Sequence, residues 1–407
     1  MTQRPDFIVI GGGIFGCSIA WYLARAGAGT VTVVERQGLA AATTSRAAAL
    51  LTRIRLKPGQ TALSTETRRA ISELEQELGF SLEQHRVGSL HIAASPQTQT
   101  GLEELAAAAA EHSEPFEWID AEETFKRIPW LQTDRELRVG FMPEDSYLDP
   151  YQLAMAYADA AKARGVEFLL ETEVTGLMRN GDRITGVRTE SRDIAAGCVI
   201  DAAGPWAGLL AAEAGWHLPL APVRSHYWIT SPGPLFPTDN PYVILPDAHA
   251  YTRPEVGGLL FGLRDKASLS CDPRKLSADL ASPVFPEDPE GWDVLIESGP
   301  GLQEFFPALA EAELAHYVAA PSTYTPDGQF VLGALPGVSG MLVASGCCGA
   351  GIACSGGVGR AIAELATDQA SHFELGGCRP DRFGEIDSFS DSWRELCAQG
   401  RSGKTSG

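Results

Sequence analysis

The chain has 407 residues, 44% of them hydrophobic, and a formal net charge of −20. That length exceeds one compact core, since domains run to about 100–200 residues, and implies two joined domains. The acidic balance argues against a nucleic-acid partner, which demands a basic surface, and no run of about 18 apolar residues offers a membrane span. The N-terminus enters a strand at once, without the basic start, apolar block and small-residue cleavage site of an export signal, which predicts a cytoplasmic protein. Eight cysteines are scattered with no Cys-x-x-Cys pair and no histidine cluster. This argues against a structural zinc site and fits a reducing compartment. The adjacent Cys347 and Cys348 are either a redox pair or small residues filling a crowded loop.

In chain order, residues 7–10 read as a buried strand. They are followed by Gly11-x-Gly13-x-x-Gly16, a helix with Ile19, Leu23 and Ala24 toward the sheet, and a second strand, 31–34, closed by Glu35. Gly11 permits a tight turn, Gly13 lets the backbone approach a pyrophosphate, and Gly16 lets helix and strand pack closely. The helix N-terminus offers free N–H groups and a positive dipole to phosphates, and Glu35 can accept hydrogen bonds from a ribose hydroxyl pair. The alternative is a merely glycine-rich turn. The register of strand, glycines, helix, second strand and acid favours the dinucleotide site, with Ile14, Phe15 and Arg36 as further contacts.

A small-residue segment follows, 40–49, in which Thr43, Thr44, Ser45 and Arg46 let the backbone run close to a ligand. Residues 60–80 and 101–112 read as helices, and 88–93 as a strand. Asp149-Pro150 opens a helix, proline being suited to the first helical position. Strands follow at 166–170 and 173–174, then a hairpin over Asn180-Gly181 and a buried strand, 198–204, that ends in a Gly-Pro turn. Residues 220–265 alternate as β-strands and 266–300 are loop-rich. A strand at 341–346 runs through Gly349 and Gly351 into a helix from about 352 to 366. The tail from 371 is polar, and its end, 401–407, is expected to be disordered. The first strand–helix–strand unit and the last strand–Gly–helix unit lie at opposite ends of the chain. That places a nucleotide domain in separated segments, 1–85, 146–215 and 322–370, with a β-rich substrate domain from 86–145 and 216–321 and an extension over 371–407.

The sequence resembles the D-amino-acid oxidase superfamily of flavoproteins, and within it the sarcosine oxidase, glycine oxidase and D-amino-acid dehydrogenase types. The resemblance runs to about residue 366. It rests on the glycine motif with Glu35, Ser45-Arg46-Ala47-Ala48, the Asp149-Pro150 helix start, Val174, Asp201-Ala202-Ala203-Gly204-Pro205-Trp206, Thr325-Pro326-Asp327-Gly328 and the 346–360 stretch, in that order. It implies an α/β fold, with a Rossmann-like FAD-binding domain and an inserted β-rich (α+β) substrate domain. Val174 would contribute backbone hydrogen bonds to adenine. Thr44, Ser45, Arg46 and Ala48 would run along the flavin, and Gly204, Gly346, Gly349, Gly351 and Ile352 would complete its site. A helix N-terminus at the pyrimidine edge stabilises the negative charge of a reduced flavin. The implied chemistry is oxidation of a C–N bond, with hydride leaving the carbon next to a neutral amine for flavin N5 and the imine product hydrolysing.

The pattern breaks in three places. Where many members carry a carboxylate-clamping arginine, this chain has Ser322, which cannot form the bidentate charged pair. No cysteine lies where sarcosine oxidases tether the flavin, so FAD is expected to be non-covalent. An active-site lysine of those oxidases is replaced by Ala353. For the clamp, Arg53 and Arg55 share one face if they lie on a strand; otherwise they are surface charges. Tyr251 and Arg253 also share a strand face. Tyr251 matches a substrate-facing tyrosine of the dehydrogenase types or is a core residue. His226 and His249 are candidates to aid amine deprotonation or are structural, and Arg224 is read as structural.

The leading reading is an FAD-dependent oxidoreductase for an N-methyl, cyclic imino or D-amino acid, with oxygen or another electron acceptor. It would act alone or as a homo-oligomer. The alternative is a flavoprotein subunit of a heteromeric dehydrogenase that passes electrons to a partner. A nicotinamide-dependent dehydrogenase shares the N-terminal motif but leaves the 346–360 segment unexplained.

Overall fold

The computed structural model describes residues 4–280 and 282–404. Two large sheets organise the chain. The first has six strands in the order Val331–Ala334, Met341–Ser345, Cys198–Asp201, Phe7–Ile10, Val31–Val34 and Glu167–Leu169. All its pairs are parallel except the edge pair formed by Val331–Ala334. Its strands are short, β-branched and mostly buried, as a parallel sheet covered by helices requires. The helices Ile14–Arg25, Gln60–Leu78, Pro150–Ala163 and Ser355–Ala366 pack together over it.

The last of these helices carries a face of glycines. A Cβ added at Gly356 would sit 2.7 Å from the Thr67 Cα, at Gly357 2.4 Å from the Leu63 Cα, and at Gly359 2.1 Å from the Ser18 Oγ. Backbone therefore meets backbone where Ser355–Ala366 crosses its two neighbours.

The second sheet has eight strands in the order Leu314–Tyr324, Ala221–Thr230, Gly258–Leu263, Ala250–Glu255, Tyr242–Leu245, Ser89–Ala93, Arg138–Met142 and Glu117–Ile119. It is antiparallel except where Tyr242–Leu245 pairs with Ser89–Ala93. A three-stranded antiparallel sheet, Val174–Asn180, Arg183–Thr189 and Asp193–Ala195, includes the Asn180-Gly181 hairpin.

The tail departs from expectation. Residues 372–404 are among those described, and Asp391–Ser402 forms a helix, N-capped by Ser390, whose hydroxyl accepts the Trp393 N–H. Its apolar side, Cys397 and Ala398 with Trp393, closes a small core with Ala221, Val223, Tyr324 and Cys348. The polar composition that suggested disorder is that of an amphipathic helix packed on the second sheet. Thr405–Gly407, also expected to be disordered, lie outside the described residues. Among the described residues, no helix is long and apolar enough to cross a membrane.

Candidate active site

The glycine turn does what its spacing demands. Gly11 has φ +101°, and a Cβ there would lie 2.6 Å from the Ala202 carbonyl oxygen. A Cβ on Gly16 would fall 1.8 Å from the Gly11 oxygen, so only glycine seats this helix on its strand. The Thr44 hydroxyl accepts the Ile14 N–H at 3.1 Å and stands 3.3 Å from where a Gly13 Cβ would be. Two cavities open from this waist and share Gly13, Thr43, Thr44, Ala202, Gly204 and Pro205.

Gly11, Glu35, Arg36, Val174 and Trp206 wall the first cavity. The Glu35 carboxylate accepts N–H bonds from Gly12 at 2.6 Å and Gln37 at 2.8 Å, which fix its orientation. The Arg36 guanidinium lies 3.7 Å from the centre of the Trp206 ring. The second cavity has Ile14, Phe15, Thr44, Arg46 and Ala48 on one side and Gly349, Gly351 and Ile352 on another. An elongated cavity with a helix N-terminus at its waist and an acid at one end fits FAD, with pyrophosphate at the waist. Three of the residues expected at the cofactor fall outside both walls, and Gly16, packed on the Gly11 oxygen, is one of them. Ser45 is exposed, its hydroxyl turned to the Ala42 carbonyl at 3.3 Å. Gly346, at φ +65°, packs under Val331.

The second cavity continues into the eight-stranded sheet. The Thr43 hydroxyl donates to the Pro321 carbonyl at 2.8 Å, and the Cys347 and Cys348 amides bond to Thr323, at 3.0 and 2.8 Å. Ser322 lines the cavity with its hydroxyl 3.1 Å from the Cys347 sulfur. The Cys348 thiol turns away to the Thr325 hydroxyl at 3.3 Å, and burial pushes it up to about 12.

Three cations that the sequence reading missed converge here: Arg264, Arg401 and Lys404, beside Tyr251 and Tyr324. Arg264 donates to the Lys404 carbonyl, and the Lys404 Nζ donates to the Cys348 carbonyl at 3.3 Å. Arg264 is lowered to about 10, first by burial and then by Arg401. Burial also raises the Tyr251 and Tyr324 phenols, which therefore remain proton donors. The Tyr251 ring fills the space a Gly262 Cβ would need, 2.3 Å away. Two of the three cations come from the tail. The signal for them was present: Ser390-Asp391 as a helix start, Trp393 and Cys397 at helical spacing, and a basic last turn.

Most of the residues expected to act on substrate do other work. The extended pairing of this segment stops at Leu51, so Arg53 and Arg55 share no strand face. Arg53 is held by Glu114 at 2.5 Å and Glu144 at 3.3 Å. Arg55 does not line the cavity, and its Nε is buried without an acceptor among the described residues. His226 borders the cavity, but Tyr317 engages its Nδ1 at 3.0 Å and the Leu263 carbonyl its Nε2 at 3.1 Å. Burial holds it neutral, lowered to about 3, so it is no base. His249 is exposed. Arg253 donates to the Ala48 carbonyl at 2.8 Å and pairs with Glu255, so it braces the 40–49 segment instead of clamping substrate. Arg224 is structural, buried between Asp265 and Asp288. Tyr251 lines the cavity.

The chain is similar to known proteins over nearly its whole length. Mitochondrial dimethylglycine dehydrogenase of Rattus norvegicus is 29% identical over 391 residues, covering 94% of this chain and 45% of the relative. The 4-methylaminobutanoate oxidase (formaldehyde-forming) of Paenarthrobacter nicotinovorans is 30% identical over 381 residues, covering 92% of this chain and 45% of that protein. The chain thus spans about half the length of these curated relatives. The crystal structure of L-proline dehydrogenase from P. horikoshii shares the fold, with a TM-score of 0.81 at 24% identity, covering 94% of this chain and 98% of that one. The pattern of the DAO family matches residues 6–365, so the chain belongs to the DAO family of FAD-dependent oxidoreductases.

Proposed function

We propose that the protein oxidises an amine that carries a carboxylate, preferably a secondary or tertiary N-methyl amino acid, at the C–H bond next to nitrogen. The convergence of the Arg264 and Arg401 guanidiniums on the cavity beside Gly349 and Gly351 carries this reading. Ser322 cannot clamp a carboxylate, and the two guanidiniums supply that charge from other elements. The phenols of Tyr251 and Tyr324 donate hydrogen bonds that orient the bound acid. Ala48, Ala49, Leu50, Ala320 and Ile352 give the cavity an apolar wall that excludes water from the reacting carbon. Bound FAD supplies the two-electron acceptor for the hydride. The relatives support the class, because dimethylglycine and 4-methylaminobutanoate, named in theirs, both join an N-methyl amine to a carboxylate.

The test is anaerobic mixing of the yellow protein with dimethylglycine, sarcosine, 4-methylaminobutanoate, L-proline, D-alanine and methylamine, following loss of visible flavin absorbance. Bleaching by N-methyl acids but not by methylamine is expected. Bleaching by methylamine alone would overturn the carboxylate requirement. Readmitting air then shows whether oxygen is the acceptor.

A further inference from the structure

Carboxylate recognition leaves one group of the cavity without a task, the Lys404 amine. It is pinned at both ends, with its carbonyl accepting from Arg264 and its Nζ donating to the Cys348 carbonyl at 3.3 Å. The Nζ lies 3.0 Å, and the Tyr324 hydroxyl 2.8 Å, from where a Gly349 Cβ would stand, so amine and phenol flank one gap. Among the described residues, the charged groups that act on it most are Arg264, Arg55 and Arg401, with the Cys348 thiol opposing them. Burial, then these three cations, lower Lys404 well below the usual lysine range.

Resting on the carboxylate reading above, we infer that Lys404 accepts the proton of the substrate ammonium, and that the substrate's own carboxylate, seated between Arg264 and Arg401, makes it basic enough to do so. The N–H bond of the substrate ammonium breaks, its proton passes to the lone pair of Lys404 Nζ, and its electron pair stays on nitrogen. The products are a neutral amine, with the lone pair that hydride departure needs, and a Lys404 ammonium. No other reactant takes part. In the free site burial and then the arginine field disfavour the charged form of Lys404. An arriving carboxylate cancels part of that field when the ammonium enters.

The test counts protons on binding. FAD-loaded protein is titrated calorimetrically at pH 8 in phosphate and in Tris, whose ionisation enthalpies differ. The probe is trimethylglycine, which has the carboxylate but neither an N–H nor a nitrogen lone pair, and so binds without reducing the flavin. It should draw up to about one proton per site from the buffer. Lys404→Met should abolish the uptake. So should Lys404→Arg, which keeps a long basic side chain but cannot be neutral. With either variant, the anaerobic bleaching rate should need amine deprotonated in solution and climb about tenfold per pH unit through neutrality. Flavin perturbation by trimethylglycine without proton uptake, or with uptake that survives in both variants, overturns the assignment of Lys404 alone. No flavin perturbation by any carboxylate overturns the carboxylate reading and this inference with it.

Discussion

Arg401, in the last turn of the C-terminal helix, donates its Nε to the backbone carbonyl of Arg224, whose own guanidinium is held by Asp265 and by Asp288 at 2.9 Å. A buried ion cluster in the eight-stranded sheet therefore anchors a cavity cation that belongs to the tail. Arg401→Met keeps the bulk and removes the charge. A lost charge-assisted hydrogen bond costs about 1.5–3 kcal/mol, so KM for a carboxylate substrate should rise about 10- to 100-fold. The bound flavin spectrum should be retained. Stopped-flow reduction against substrate concentration checks this.

Two glycines of the first turn should fail differently. Gly16→Ala forces a Cβ to 1.8 Å from the Gly11 oxygen, both atoms held by backbone, and should yield no stable protein. Gly13→Ala meets only the Thr44 hydroxyl, at 3.3 Å. Its apoprotein should melt close to wild type and bind FAD about tenfold or more weakly, because the methyl occupies the approach to the pyrophosphate. Melting curves with fluorescence titration of FAD separate the two outcomes.

Arg253→Met distinguishes bracing from clamping. The residue holds the Ala48 carbonyl, and its charge is spent on Glu255. The variant should release FAD faster and leave KM for the acid substrate within about twofold once FAD is saturating. A KM rise with unchanged FAD affinity would restore the clamp that sequence reasoning gave it.

Asp201 sets a pH dependence. It is fully buried at a strand end; one oxygen accepts the Ala203 N–H at 3.0 Å, and Oδ2 has no partner among the described residues. Burial raises it from 3.8 to about 7. A raised carboxyl binds its proton more tightly when folded, so its contribution is intact below about pH 4 and is lost as pH climbs through 7. Asp201→Asn removes this loss. The variant should gain stability relative to wild type between pH 4 and 7, by at most about 4 kcal/mol, and the difference should level off above. Urea unfolding at pH 4.5 and pH 8 measures it.

The nucleotide half was legible because its function is written in local spacing. Gly11, Gly13, Gly16 and Glu35 are constrained by a turn, two close approaches and a strand end, all within about thirty residues. The substrate half was not, because its charges come from strand, loop and tail residues that meet only through the eight-stranded sheet. Arg53 and Arg55 drew notice by their nearness in sequence to the 40–49 segment, yet Glu114 and burial claim them. Arg253 followed strand alternation correctly to the right face, but its long side chain reached the backbone of Ala48. The disorder expected from 401 onward rested on composition, yet the helix runs on to Ser402. Trp393 and Cys397 are few apolar residues among many polar ones, yet they suffice for a helix that needs only one buried face.

The glycine face of Ser355–Ala366 bears on how the chain survives damage. Two parts of the sequence, one before and one after the exposed Glu287, interlock through it at near-backbone contact. They also share adjacent strands, Cys198–Asp201 beside Met341–Ser345. A single proteolytic nick beside Glu287 should therefore leave two fragments that travel together through gel filtration, retain their yellow colour, and part only in denaturant. In that sense the protein is held as a dovetail joint, closed by the absence of side chains where others would be closed by their presence.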